Sequence, residues 1–304
     1  MKIATYNLRN LFAAGHRDSY DSQLLVTQEF VDKVVSNLSK TISQIAPDIL
    51  LAQEVGSEKV FYDLAKLSGS TYQTFLATPD TRGIANAALF NTNVETASLP
   101  DINGFPVFIE GQEDIVSKSI SKYRETVYLK TTYNSLPLHI FGVHLKASGP
   151  MPMRNRLGAK MPITTQREAG DAMIRTAIYK LAQARELREL VDELFLSDPF
   201  AQIIVLGDYN ETEFTQVLRM IKGELASAPE TQLLNLCEQI PEAKRYSFMG
   251  YGSIRLLDHI LVSRSLIDSV VKLEILNDAL VDQSGYPESQ FFQSDHAPVV
   301  VTLK

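Results

Sequence analysis

Ten stretches of this chain are built for β-strands, and several are apolar at nearly every position instead of alternating with polar residues. They are KIATYNL from Lys2, DILLAQEV from Asp48, YQTFLAT from Tyr72, IANAALF from Ile84, ETVYLKTTY from Glu125, LPLHIFGVHL from Leu136, AQIIVLGD from Ala201, LLDHILVS from Leu256, VKLEIL from Val271 and APVVVTL from Ala297. Most are β-branched or aromatic, and turn residues bound them. A strand that is apolar on both faces has to be covered on both faces. The pattern therefore predicts sheets buried by other layers.

Helical spacing fills the intervals. Residues 28–45 place Phe30, Val31, Val34, Val35, Leu38, Ile42 and Ile45 on one face, with Thr27 as N-cap. A longer helix follows Thr165, with Ala169, Met173, Ala177, Leu181, Ala184, Leu187, Val191 and Leu194 as its apolar stripe. Short helices are expected after Ser57 and after Thr212, the second ending at Gly223. Ten strands with four helices indicate an α/β chain of two sheets packed together and covered by helices. No linker-like composition, low-complexity tract or fixed-period repeat interrupts it, so residues 1–304 read as one domain.

With 304 residues and 45% hydrophobic content, the chain can bury a sizeable core. Its 29 basic and 36 acidic residues give a net charge of -7, which argues against a nucleic-acid coat protein or a polybasic membrane binder. Cys237 is the single cysteine, so an intramolecular disulfide and a thiolate metal cluster are both excluded. Met1 runs straight into KIATYNL without a basic segment and apolar core, so a cytoplasmic chain is expected, or a secreted one whose leader was trimmed. No apolar stretch approaches the roughly 18 residues of a spanning helix, and no stable membrane insertion is expected. Nothing in the sequence points to a protein partner.

Six strand ends carry the same kind of chemistry. TYNL supplies Asn7, LLAQEV Glu54, FGVHL His144, VLGDYNET Asp208 and Asn210, LLDHILVS Asp258, and FFQSDHAPVVV Asp295 and His296. Taken singly, each is an ordinary turn residue or charged strand end. Taken together, they are carboxylates and amide oxygens without thiolates, the donor set of a hard cation such as Mg²⁺. The two histidines, with acids available to orient them, add the proton-transfer and phosphate-stabilising groups that phosphodiester hydrolysis needs.

The ordered series TYN, QEV, GVHL, GDYN, LDHILVS and SDHAP resembles the endonuclease/exonuclease/phosphatase superfamily, the deoxyribonuclease I-like proteins, over the span from Tyr6 to Val301. That resemblance implies a four-layer sandwich of two stacked mixed β-sheets flanked by helices. It implies Glu54 as principal metal ligand with Asn7 and Asp295 beside it, holding Mg²⁺, with Mn²⁺ or Ca²⁺ as substitutes. Asp208 and Asn210 would position or activate the attacking water. His296 would hold the scissile phosphate or act as acid/base, oriented by Asp258, with His144 opposite. Abasic-site repair nucleases carry Tyr where this chain has His144, so the chain departs from their pattern. Arg124 is read either as a substrate contact or as a surface charge.

One fold hosts many substrates. The segment from Lys146 to Arg167 holds five basic residues, Lys146, Arg154, Arg156, Lys160 and Arg167, and no acidic one. It leaves directly from His144, and Lys146, Arg154, Arg156 and Lys160 are expected to guide flanking phosphates. A nuclease acting on DNA, or on RNA, is the leading expectation. A phospholipid or inositol-phosphate hydrolase and a silent binding module are the alternatives, and Met151, Met153 and Met161 are the residues that would touch lipid.

Overall fold

A computed structural model describes residues 1–16, 25–69, 71–80, 82–99, 106–107, 115–116, 124–153, 155, 160–224 and 226–304. Among these, two mixed six-stranded sheets dominate. The first runs in spatial order Val270–Ile275, Val299–Leu303, Lys2–Leu11, Ile49–Val55, Ala85–Phe90 and Gln73–Leu76. The second runs Leu233–Asn235, Asp258–Ser263, Gln202–Asp208, Leu136–His144, Val127–Tyr133 and Glu95–Ser98. The central pair of each is parallel and the pairs flanking it are antiparallel.

Alternate residues of the same strands serve different layers, because side chains alternate faces along a strand. Ile3, Leu51, Ile140, Ile204, Leu206 and Ile260 pack between the sheets. Their neighbours Ala4, Leu50, Ala52 and Leu89 face outward and pack under helices α1 (Gln28–Ile45) and α2 (Glu58–Ser68) through Val31, Leu38, Ile42 and Leu64. On the other side Ile203, Val205, Phe141 and Leu261 pack under α3 (Gln166–Ser197) and α4 (Gln216–Lys222) through Leu187, Val191 and Leu218. Each such Val, Leu, Ile or Phe side chain contributes about 1.5–3 kcal/mol relative to exposure. The near-continuous apolar runs are thereby explained, and the order helices, sheet, sheet, helices is the four-layer sandwich expected.

The helix ends follow local chemistry. Thr27 Oγ1 accepts from Phe30 N at 3.1 Å, and Thr165 forms a reciprocal capping box with Glu168. α4 starts later than expected: Thr215, not Thr212, caps it, because Phe214 sits at φ 70° and cannot be helical. Gly223 ends it in the left-handed region at φ 79°, as expected. The apolar stripe of α3 holds from Ala184 onward and fails before it. There Ala172, Thr176 and Lys180 face inward while Met173 and Ala177 are exposed. The inner side of this half meets polar loops instead of sheet: Thr176 Oγ1 donates to the Gly149 carbonyl at 2.9 Å.

Gly207, one residue before Asp208, explains why the GDYN strand needs glycine. It sits at φ 149°, and a Cβ there would lie 2.0 Å from the Val143 carbonyl oxygen of the adjacent strand. Backbone cannot yield as a flexible side chain can. Gly207→Ala is expected to destabilise the fold by about 3 kcal/mol, read as a lower urea midpoint. A wild-type midpoint would contradict the close approach.

Candidate active site

Strand register brings the first site residues together. Asp208 pairs with His144 on one neighbouring strand and with Asp258 on the other, so the three stand abreast at one end of the second sheet. The first sheet reaches the same place through Asn7, whose Nδ2 donates to Asp208 Oδ2 at 3.0 Å. Both groups are buried, so the bond spans the sandwich out of water.

Backbone irregularity aims the other first-sheet residues. The Lys2–Leu11 strand slips register against Ile49–Val55 between Asn7 and Leu11, with Arg9 at φ 52° and Asn10 at φ 51°. The partner strand slips between Ala52 and Val55, with Glu54 at φ 62°. Non-glycine residues at positive φ cost about 1–3 kcal/mol each and persist where surroundings over-determine them. Asn10 N donates to Glu54 Oε2 at 2.9 Å, and Glu54 Oε1 lies 3.9 Å from His144 Nε2.

Asp208 is the hub. Its Oδ1 accepts from Asn210 N at 2.8 Å, and Oδ2 lies 3.3 Å from Asn210 Nδ2, 3.3 Å from His144 Nε2 and 3.9 Å from His296 Nε2. Burial raises its carboxyl to about 7, against the pull of the His296 charge and with the repulsion of Asp258 and Glu54. Burial likewise pushes His144 well below its ordinary value, helped by the charges of Arg124, His296 and Arg82. His144 is therefore the neutral imidazole of the pair.

His296 is the opposite case. Its Nδ1 lies 2.7 Å from Asp258 Oδ2, and that oxygen also accepts from Ser247 Oγ at 2.7 Å. Ser247 Oγ in turn accepts from Asp258 N, so the carboxylate is fixed in orientation. Ser294 Oγ accepts from His296 N at 3.0 Å and donates to the Asn7 carbonyl at 2.6 Å, linking the last strand to the first. Burial lowers the imidazole, but Asp258 and Asp208 outweigh it and hold His296 at about 10. It is the cation of the site.

This arrangement sets a pH dependence of folding in EDTA. His296 has its folded value above the ordinary 6.5, so its contribution is full below that and is lost as pH rises through about 10. Asp208, also raised, contributes below its ordinary 3.8 and loses that as pH rises through about 7. The urea midpoint is expected to fall in both windows, and Asp258→Asn to pull the upper fall toward neutrality. A flat midpoint above pH 7 would contradict the paired imidazolium.

Three of the site's side chains could hold a metal ion. Asp208, Asp258 and His296 are buried and offer ligand atoms within 4.8 Å of one another. The 2.7 Å hydrogen bond, however, already uses His296 Nδ1 and Asp258 Oδ2. Glu54, Asn7 and Asp295, the ligands that the resemblance implies, are all oxygen donors, with Asn7 Oδ1 accepting from Arg9 N at 2.9 Å and Glu54 Oε2 from Asn10 N at 2.9 Å. Burial and the Glu54 charge both raise the Asp295 carboxyl, against His296 and Arg9, whose Nε lies 4.0 Å away. The Glu54 charge thus adds to burial in raising both the Asp208 and the Asp295 carboxyl.

The expected substrate contacts divide. Arg124 is no surface charge: it is 7% exposed, with Nε 3.7 Å from Asp80 Oδ2. Asp80 also pairs with Arg82 at 3.0 Å, so one buried acid holds two guanidiniums whose charges act on His144. Lys146 bends back onto the Ala147 and Gly149 carbonyls at 2.7 and 3.3 Å. Partial burial and the charges of Lys180, Arg124, Arg82 and Lys160 hold its ammonium down at about 8. Lys160 and Arg167 are exposed, and Arg154 and Arg156 lie outside the described residues.

Sequence reasoning missed Ser247, Ser294, Arg82 and Lys180. Only Lys180 had a legible cue, an ionisable residue one turn before Ala184 on the inward face of α3. Among the described residues, no helix is long and apolar enough to cross a membrane.

A sandwich of two mixed sheets between helices is the fold of the endonuclease/exonuclease/phosphatase proteins, the deoxyribonuclease I-like fold. No family model and no curated protein matches the sequence. Solved structures do. A Bacteroides thetaiotaomicron endonuclease/exonuclease/phosphatase family protein shares 18% identity over 99% of this chain and 93% of its own, with a TM-score of 0.58. A mannosyl-6-phosphatase of B. thetaiotaomicron VPI-5482 shares 17% over 100% and 99%, TM-score 0.59. Humanised D. rerio TDP2 shares 14% over 100% and 98%, TM-score 0.58. At these identities the likeness is one of fold.

Proposed function

We propose that this chain is a Mg²⁺-dependent phosphodiesterase that hydrolyses nucleic acid, DNA in preference to RNA. The observation that carries the reading is the convergence on Asp208 Oδ2 of Asn7 at 3.0 Å, His144 at 3.3 Å and His296 at 3.9 Å, with His296 itself bonded to Asp258. Glu54, Asn7 and Asp295 would hold the cation, which supplies positive charge to the phosphate oxygens.

The side chains account for the rest. Asp208, with its carboxyl near neutrality and its oxygens fixed by Asn7 and Asn210, accepts a proton from the attacking water. His296 enters as imidazolium with Nδ1–H bound to Asp258, leaving Nε2–H as the donor to the scissile phosphate. Neutral His144 faces it across Asp208 and donates without adding charge. Arg124, Arg82, Lys146 and Lys160 make the His144 side positive, which supports a substrate with flanking phosphates.

A lipid phosphoester is the second reading, favoured by the exposure of Met153 at 58% and Met161 at 48% beside this region. Plasmid DNA, RNA, phosphoinositide and sphingomyelin, each incubated with Mg²⁺ and with EDTA, separate the readings. Cleavage of DNA in Mg²⁺ alone is expected. Cleavage of lipid alone would move the assignment to the second reading, and cleavage of none would leave a binding module. For duplex DNA, KM is expected to rise steeply with salt, because cations of the protein replace condensed counterions. Neutralising Arg154, Arg156 and Lys160 should flatten that slope and spare kcat on a short substrate. Identical slopes would remove the support for nucleic acid.

A further inference from the structure

Lys180 is an ionisable residue in the middle of α3, and it is only 4% exposed. An ammonium withdrawn from water is costly unless each of its protons finds an acceptor. Here there are three. Nζ donates to Ser148 Oγ at 2.9 Å and to the Asn210 carbonyl at 2.8 Å, and pairs with the Glu211 carboxylate. Ser148 Oγ also donates to the Asn210 carbonyl, at 3.1 Å. Ser148 lies just after the strand that ends in His144, and Asn210 just after the strand that ends in Asp208. One buried cation thus ties together the two loops that leave the site from adjacent strands.

The residue it grips has an uncommon backbone. Asn210 stands at φ 49°, in the left-handed region. In that conformation its N–H reaches Asp208 Oδ1 at 2.8 Å and its Nδ2 reaches the Leu145 carbonyl at 3.1 Å. The next carbonyl, that of Glu211, is met by His259 Nε2 at 2.9 Å. The backbone N–H and carbonyl of Asn210 and its Nδ2 therefore each have a defined partner, and Lys180 supplies the one that crosses from the helix.

We infer that Lys180 is a positioning residue: it fixes the left-handed turn at Asn210 that clamps the Asp208 carboxylate, and so controls turnover without touching substrate. This rests on the reading of Asp208 as proton acceptor in phosphodiester hydrolysis. A lysine that served stability alone would be replaceable by a methionine of similar length with no change in turnover by the folded protein.

The test compares wild type, Lys180→Met and Lys180→Arg on plasmid DNA at saturating Mg²⁺. A misplacement on the order of 1 Å costs about 100-fold, so Lys180→Met is expected to lower kcat about 100-fold with KM within about twofold. Lys180→Arg, which keeps charge and donors, is expected to recover most of the loss. Wild-type kcat in folded Lys180→Met, or a rise in KM alone, overturns the assignment. If Lys180→Met does not fold, Ser148→Ala removes one acceptor and Glu211→Gln removes the charge that pairs with the ammonium; partial kcat losses at constant KM support the tie, and wild-type kcat in both overturns it. Should wild type cleave none of the four phosphoesters above, the phosphodiesterase reading fails by itself. Amide exchange over residues 208–211 then decides the tie: faster exchange in Lys180→Met supports it, and unchanged exchange overturns it.

Discussion

Glu54→Gln is expected to lower hydrolysis by about 10³-fold at saturating Mg²⁺, with the urea midpoint at its wild-type value. Charge stabilisation by a bound cation is worth several kcal/mol in the transition state, and about 4 kcal/mol corresponds to that factor. Glutamine keeps the shape and the acceptor that Asn10 N uses at 2.9 Å, so the local backbone is preserved. What it removes is the negative charge, which the carboxyls of Asp208 and Asp295 both feel. Two measurements check this, turnover against Mg²⁺ concentration and cation affinity by calorimetry. Turnover equal to wild type would eliminate Glu54 as metal ligand.

His296→Ala is expected to cost about 10³-fold in kcat, within the range for a lost general acid or base. Asp258→Asn leaves the imidazole in place but replaces the acceptor that holds its Nδ1 at 2.7 Å. The cation then loses its main support, the tautomer is no longer fixed, and Ser247 Oγ must choose between two partners. Residues that act as one unit lose activity once, not twice. The double variant Asp258→Asn/His296→Ala should therefore be scarcely slower than His296→Ala alone, whereas losses that multiply would show two separate functions. The single variant Asp258→Asn should also move the alkaline limb of the pH–rate profile downward, since Asp258 heads the charges that raise His296.

The contrast between Arg124 and Glu54 shows how far local pattern reaches. RETVYLK reads as a strand opened by a charge at its edge, yet Arg124 is buried against Asp80, a residue of a loop in the other half of the sandwich's order. Glu54 reads as a strand-end carboxylate, and it is one, but its direction depends on two register slips and three positive φ angles. Hydropathy carries no information on either.

The layering of the fold was determined by sequence alone. Runs such as ILLAQEV and QIIVLGD are apolar on both faces, and strand geometry sends Leu51 and Leu206 to the layer between the sheets and Leu50 and Val205 to the two opposite outer layers, whatever the partner. Caps such as Thr27 and Thr165 are legible for the same reason, since they act within a single turn. Tertiary structure alone decided which oxygen meets which nitrogen. Asn7 and Asp208 are 201 positions apart, and His296 and Asp258 come from different sheets' ends, so their 3.0 and 2.7 Å contacts exist only once two sheets are stacked in one register. It also decided that Lys180 points inward, where the Asn210 turn needs a cation, because the sheet that covers the rest of α3 stops short of that half of the helix.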